Sequence, residues 1–140
     1  MNNKELGNFG ESLATDFLQK KNYIILDRNY RALGTEIDII AKDGEELVFV
    51  EVKTRRNHKF GEAYEAVTEF KMRNIIQTAN VYIYKHELYN TQVRFDVIEV
   101  YINEKRINHI ENAFILIYAL YRFYKKDRNA SKKSCKRSIY

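Results

Sequence analysis

Several residue patterns that mark well-known classes of protein are missing from this chain. One cysteine, Cys135, stands among 140 residues, so an internal disulfide and a cysteine-based metal site are both excluded. The three histidines, His58, His86 and His109, lack the spacing of metal ligands. The sequence also has no glycine-rich phosphate loop, no Ser/His/Asp order and no internal repeat. Because a lone thiol suits a reducing compartment, we expect a cytoplasmic protein.

Long hydrophobic runs are missing as well. The longest extends from Ala113 to Tyr121 and has nine residues, whereas a membrane-spanning helix needs about 20. The amino terminus is polar and is not followed by an apolar stretch, so we expect no signal peptide. These features predict a soluble protein without stable membrane insertion. The length suits one domain with a substantial core.

Positive charge is concentrated at the carboxyl end. The net charge is +5, but residues 1–124 hold 17 Lys and Arg against 18 Asp and Glu, while residues 125–140 hold seven against one. We expect a domain at 1–114, an additional apolar helix at 115–126 and a basic, disordered tail at 127–140. The tail is suited to binding phosphate groups, and a membrane surface is the weaker alternative. Overall charge does not mark the domain as a nucleic-acid binder, so that inference must rest on local features.

The most informative segment places acids inside two apolar runs. Residues 35–41 and 47–53 are rich in Val, Ile and Phe, and the Asp-Gly pair between them is a strong hairpin signal. We predict two adjacent antiparallel strands. Because side chains alternate between the faces of a strand, Glu51 and Lys53 share one face.

The length of the hairpin loop decides whether Asp38 joins that face. A loop of two or four residues puts Asp38 directly or diagonally opposite Glu51, whereas a three-residue loop sends it to the other face. We adopt the even loop. Two carboxylates so close repel each other unless a cation lies between them, and oxygen ligands favour Mg²⁺ or Mn²⁺. Lys53 would then face a substrate phosphate. The alternative is a structural salt-bridge cluster.

Basic residues near this predicted metal site are candidates for nucleic-acid contact. Arg55, Arg56 and Lys59 follow it directly, although a solvated basic loop is the alternative. Arg31, on the strand before the hairpin, could face phosphate or pair with an acid. Lys71 lies off the apolar stripe of its helix. A solvated lysine is the favoured interpretation there, and a contact with the site is the alternative.

The remaining sequence predicts alternating helices and strands. The predicted elements are helices over 4–20 and after residue 61, and strands over 23–31, 92–102 and 105–110. In the first helix, Gly7 and Gly10 would let another backbone approach closely. Asp96 is a weak candidate for a metal ligand, and a structural partner for an arginine is the favoured interpretation.

Together these residues resemble a known family. An Asp, a spacer and Glu-x-Lys on a hairpin resemble the PD-(D/E)xK core of restriction enzymes and archaeal Holliday-junction resolvases. From about residue 6 to 114 the chain is similar to the YraN-type family of predicted bacterial nucleases. Thr35 departs from the family, which usually has Gly there. The matching positions are Gly7, Gly10-Glu11, Ala14, Arg28-Asn29-Tyr30-Arg31, Glu36 to Ala41, Phe49 to Arg55, Phe60-Gly61, Ala66-Val67, Lys71 and Arg94 to Val97.

The resemblance implies a restriction-endonuclease-like three-layer α/β fold, with a mixed central sheet flanked by helices. It implies Asp38 and Glu51 as metal ligands, Lys53 at the scissile phosphate, and the backbone carbonyl of Val52 as a further ligand. It also implies Glu11 as a third carboxylate, for which a surface glutamate without a task is the alternative. Because junction resolvases act as dimers, a homodimer is implied too.

These features predict a metal-dependent endonuclease that hydrolyses phosphodiester bonds of DNA, including structured or branched DNA. The alternative is a non-catalytic nucleic-acid-binding or adaptor protein on the same scaffold. The trio of Asp38, Glu51 and Lys53 favours the enzyme, because a binding module does not need carboxylates that face a polyanion. The sequence leaves open whether the substrate is duplex, single-stranded, branched or RNA, and whether cleavage is internal or terminal.

Overall fold

The computed structural model describes residues 1–57 and 68–114. These residues form helices on both sides of a single sheet. The elements along the chain are α1 (Asn3–Lys20), β1 (Ile24–Ala32), β2 (Thr35–Asp43), β3 (Glu46–Arg55), α2 (Glu69–Lys85), β4 (Val93–Tyr101) and β5 (Arg106–Ile110).

Helix α1 begins with a capping box. The side chain of Asn2 accepts a hydrogen bond from the backbone N–H of Glu5, and the Glu5 carboxylate accepts one from the N–H of Asn2. These two bonds satisfy donors that the first turn would otherwise leave unpaired. Leu6, Ala14 and Leu18 lie along one side of the helix and are buried. This apolar stripe therefore determines which side of α1 faces the sheet.

The sheet has the strand order β1-β2-β3-β4-β5. Strands β3 and β4 are parallel, and the other neighbouring pairs are antiparallel, so the sheet is mixed. Antiparallel neighbours can be joined by tight turns. Two parallel neighbours need a crossover connection, and the connection between β3 and β4 contains α2.

The two helices cover opposite faces of this sheet. On the α1 face, Leu18 packs with Val48 and Ile98 in one apolar core. On the α2 face, Phe49 packs against helix residues, and its ring stacks on Phe95 with the ring centroids 5.4 Å apart. The result is three layers, helix on sheet on helix. The predicted restriction-endonuclease-like α/β class with a mixed central sheet is confirmed.

The predicted elements lie within one or two residues of those observed wherever both ends were predicted. The strand predicted over 23–31 is β1, the one over 92–102 is β4, and the edge strand over 105–110 is β5. The predicted apolar helix and basic tail, from residue 115 onward, lie outside the described residues. Within 1–57 and 68–114, no helix is long and apolar enough to cross a membrane.

Candidate metal centre

The hairpin of β2 and β3 brings two acids together. Its turn has two residues, since Asp43 pairs with Glu46, and Gly44 in the turn has a φ of 59° that favours glycine. The register continues to the pair Ile39 and Val50. One step further along each strand are Asp38 and Glu51. The even loop of the sequence prediction is therefore confirmed, and the Glu51 carboxylate lies close enough to Asp38 to raise its pKa.

A direct hydrogen bond anchors Asp38 to the neighbouring strand. Its Oδ2 atom accepts from the backbone N–H of Val52 at 2.7 Å. On the other side of β2, Asn29 of β1 has a left-handed backbone with a φ of 53°, which is rare for a residue inside a strand. The side chain of Asn29 reaches the carboxylates of Glu11 and Glu36 at this point of the sheet.

Helix α1 brings Glu11 to the same place. A Cβ atom on Gly10 would lie 1.8 Å from Oγ1 of Thr54, so only glycine lets the helix rest this closely on β3. Glu11 is the next residue, and its Oε2 accepts from Nδ2 of Asn29 at 2.8 Å. A close approach at Gly10 is thus confirmed, but the neighbour is the side chain of Thr54 and not the predicted backbone. At Gly7 the predicted close approach is wrong, because an added Cβ would meet no described atom within 4 Å.

Glu36 completes a group of three carboxylates. Nδ2 of Asn29 also donates to Oε1 of Glu36, at 2.9 Å, so one amide joins Glu11 and Glu36. Oxygen atoms of Glu11, Glu36 and Asp38 all lie within 4.8 Å of one another. Glu36 was not among the ligands predicted from the sequence. A signal was present, since Glu36 lies two residues before Asp38 and therefore on the same face of β2.

Glu51 lies beside this group and is held by two lysines. Its carboxylate is only 4% exposed. Nζ of Lys53 lies 3.3 Å from Oε1 of Glu51, and Nζ of Lys71, from helix α2, contacts the same oxygen. The interpretation of Lys71 as a solvated lysine is therefore wrong, and the alternative, a contact with the site, is what the structure has.

The local charges shift the proton affinities of these groups. Burial, and then the Glu51 carboxylate, raise the pKa of Asp38 to about 8, although the hydrogen bond from Val52 and the Lys71 ammonium lower it. Burial lowers the pKa of Lys53, and the Lys71 ammonium acts in the same direction. Burial also disfavours the charged form of Lys71, but Glu51 outweighs this and the pKa of Lys71 is raised.

These residues form a donor set that fits a hard divalent cation. The carboxylates of Glu11, Glu36 and Asp38 converge, and Glu51 stands next to them. Carboxylate oxygens are the ligands that Mg²⁺ and Mn²⁺ take in proteins. A cation here would also offset the repulsion that raises the pKa of Asp38. The carboxylates therefore suit the predicted ion, which remains a prediction.

The residues predicted to contact nucleic acid differ in their exposure and in their distance from the carboxylates. Arg31 is 80% exposed and donates from Nε to Glu36 at 2.5 Å, so it lies at the edge of the carboxylate group. Arg55 is partly buried on β3. The exposed Arg56 donates to the backbone carbonyl of Met1, at the start of the chain. Lys59 lies outside the described residues.

A second ionic cluster involves Asp96 and is built differently. Asp96 is fully buried and accepts hydrogen bonds from Nε and Nη2 of Arg94, from Nε2 of His109 and from the backbone N–H of Asn112. Arg94 also donates to Tyr23 at 2.7 Å. The interpretation of Asp96 as the structural partner of an arginine is confirmed.

The fold and the gathered acids define a class: a three-layer α/β protein with carboxylates and lysines clustered where the β2–β3 hairpin meets both helices. The sequence profile of the uncharacterised protein family UPF0102 matches residues 10–100. The chain belongs to this family, which is the YraN-type family that its motifs resemble.

Individual relatives agree over most of the chain. A UPF0102 protein of Clostridioides difficile is 57% identical over 114 residues, which is 81% of this chain and 100% of that protein. UPF0102 proteins of Caldicellulosiruptor saccharolyticus and Geobacter metallireducens are 50% and 46% identical, over 81% and 84% of this chain and 100% and 98% of their own lengths. None of these names states an activity.

Proposed function

We propose that this protein is a metal-dependent nuclease that hydrolyses phosphodiester bonds of DNA. The observation that carries this proposal is the partly buried Asp38 carboxylate, which faces Glu51 while Lys53 stands beside it. A structural ion pair would be arranged to lower the pKa of its acid, whereas the pKa of Asp38 is raised to about 8. A carboxyl group whose surroundings disfavour its charged form is typical of functional sites.

Glu11, Glu36 and Asp38 are the residues that would hold the cation, with Glu51 as the fourth candidate. Glu11 and Glu36 are already held together by Asn29, which orients both carboxylates before any ligand arrives. When bound, Mg²⁺ or Mn²⁺ would supply Lewis-acid polarisation of the phosphate and activate a water molecule.

Lys53 provides the positive charge next to this donor set. Its ammonium is partly buried and lies on the same face of β3 as Glu51. There it can bind a phosphate oxygen and stabilise negative charge that develops during hydrolysis. Arg31, Arg55 and Lys71 extend the positive charge around the site and would bind the nucleic-acid backbone. A cytoplasmic location and a homodimer belong to the same proposal.

A panel of labelled substrates tests this function. Duplex, flap, junction and single-stranded DNA, with RNA alongside, are incubated with the full chain and Mg²⁺, Mn²⁺ or EDTA. We expect cleavage that needs the metal and that disappears in Asp38→Asn and Glu51→Gln. Asp16→Asn, which removes an exposed acid from α1, is the matched control and should cleave normally.

Lys53→Ala separates chemistry from binding in the same panel. Turnover should fall by about 10²- to 10³-fold, as when a group that stabilises developing charge is removed, while affinity for DNA changes little. Cleavage that persists in EDTA would contradict the proposal. DNA binding without cleavage under any metal would favour the non-catalytic adaptor instead.

A further inference from the structure

Two ammonium groups contact the Glu51 carboxylate. Lys53 reaches it along strand β3, and Lys71 reaches it from helix α2, on the same oxygen atom Oε1. Because both groups share one oxygen, a divalent cation that binds this oxygen has to displace at least one of them.

The position of Lys71 in its helix is unfavourable for a cation. Lys71 lies in the first turn of α2, and its backbone N–H donates to Oγ1 of the N-cap residue Thr68 at 3.2 Å. A cation at the amino end of a helix is disfavoured, because this end carries partial positive charge. Lys71 is thus placed against the helix dipole, and its contact with Glu51 is the compensating interaction.

The two lysines differ in how freely each side chain can move away from Glu51. Lys53 is on the same strand, two residues away, and its side chain is 21% exposed. Lys71 comes from a separate element, and its side chain is 38% exposed, so its ammonium has open solvent to move into. Of the two, Lys71 therefore has more room to move away from Glu51.

We propose that Lys71 competes with the divalent cation for the Glu51 carboxylate. The inference rests on the proposed function and deepens it, by making Lys71 a positioning residue of the metal centre. The ammonium holds Glu51 in place until the cation takes over the same oxygen. Lys71 is then free to contact a phosphate group, which links metal binding to substrate binding.

Mn²⁺ binding to the full chain tests this competition directly. Affinity is measured by electron paramagnetic resonance or calorimetry for wild type, Lys71→Met, Glu51→Gln and the double variant. Lys71→Met should bind Mn²⁺ about tenfold more tightly, within the range usual for coupled sites, because the competitor is gone. This gain should vanish when Glu51→Gln is also present.

Two controls separate local competition from general electrostatics. Arg73→Met removes a positive charge from the same helix, but Arg73 pairs with Glu69 and not with the site, so the affinity should stay close to wild type. Lys71→Arg keeps the charge and should keep the competition. A merely structural role for Lys71 would lower the thermal midpoint of Lys71→Met and leave its Mn²⁺ affinity unchanged.

The outcomes are distinguishable from failure of the proposed function. If wild type binds Mn²⁺ and Lys71→Met binds it no more tightly, or if Arg73→Met gains equally, the competition is overturned and the metal centre stands. If no variant binds Mn²⁺, both proposals fail. Should Lys71→Met not fold, the Lys71 side-chain ¹³Cε resonance of wild type replaces it, and a shift unchanged by saturating Mg²⁺ would overturn the inference.

Discussion

Two clusters of charged residues lie on one sheet, and the pKa of the aspartate in each is shifted in the opposite direction. Asp96, on the α1 face, is fully buried, yet hydrogen bonds from His109 and Arg94 outweigh the burial and lower its pKa. Asp38 has one backbone bond and faces Glu51 and Glu11, so its pKa is raised to about 8. The first cluster satisfies its charges by itself. The carboxylates of the second repel one another, and a further cation would offset this repulsion.

This difference separates stability from function within a small domain. A buried acid that is fully matched by donors contributes to the fold, while a group of acids that repel one another lowers stability and is retained at a site that binds something. Sequence position alone does not tell the two apart, since both Asp38 and Asp96 are aspartates with apolar neighbours on either side in their strands.

The largest expected effect comes from breaking the matched cluster. Arg94→Met leaves Asp96 buried without its main partner, which should lower the free energy of unfolding by about 3–5 kcal/mol. Urea unfolding followed by circular dichroism measures this loss. Arg73→Met, which removes an arginine paired with the exposed Glu69, should cost less than about 1 kcal/mol. Equal losses in the two variants would remove the contrast between a matched cluster and an ordinary surface pair.

A smaller effect is expected where α1 meets the proposed metal centre. Gly10→Ala forces the helix away from Thr54, which should cost about 1–3 kcal/mol and weaken Mn²⁺ binding, because Glu11 moves with the helix. Gly7→Ala is the matched control on the same helix. No described atom lies within 4 Å of its added Cβ, so that variant should gain about 0.5–1 kcal/mol. A stable Gly10→Ala with unchanged Mn²⁺ affinity would show that Glu11 is not positioned by this contact.

A change in stability is also expected at Asp38, and its sign is opposite to that at Arg94. Because the folded pKa of Asp38 is raised, folding binds a proton between about pH 4 and 8, and stability falls as pH rises through that window. Asp38→Asn cannot lose this proton. It should therefore be more stable than wild type at pH 8, and about equal to it at pH 4. A variant less stable than wild type at pH 8 would place Asp38 with the structural acids.

Much of the fold could be predicted from local patterns. The Asp-Gly turn determines the register of β2 and β3, and alternation along β3 then puts Glu51 and Lys53 on one face. The roles of Glu11, Asp38, Glu51 and Lys53 remain predictions, but the structure does bring these four residues together. Such patterns work because neighbouring strands have a fixed geometry.

The missed features depend on contacts between distant elements. Asn29 joins Glu11 to Glu36 because its own backbone is left-handed, which no periodicity indicates. Lys71 reaches Glu51 from helix α2, which packs on the face of the sheet opposite to α1. Because Lys71 lies off the apolar stripe of this helix, the sequence favoured a solvated lysine instead. Glu36 is the exception, since alternation with Asp38 was a sufficient signal.

The central claim is that Asp38 belongs to a centre built for a cation, while Asp96 belongs to the fold. Titration of the two carboxyl groups by ¹³C NMR tests it most directly, with and without Mg²⁺. We predict that Asp38 titrates with a pKa of about 8 and Asp96 below the ordinary value for an aspartate, and that Mg²⁺ lowers the first and leaves the second unchanged. The account would be contradicted if the pKa of Asp38 lies at or below the ordinary value for an aspartate, or if Mg²⁺ leaves it unchanged.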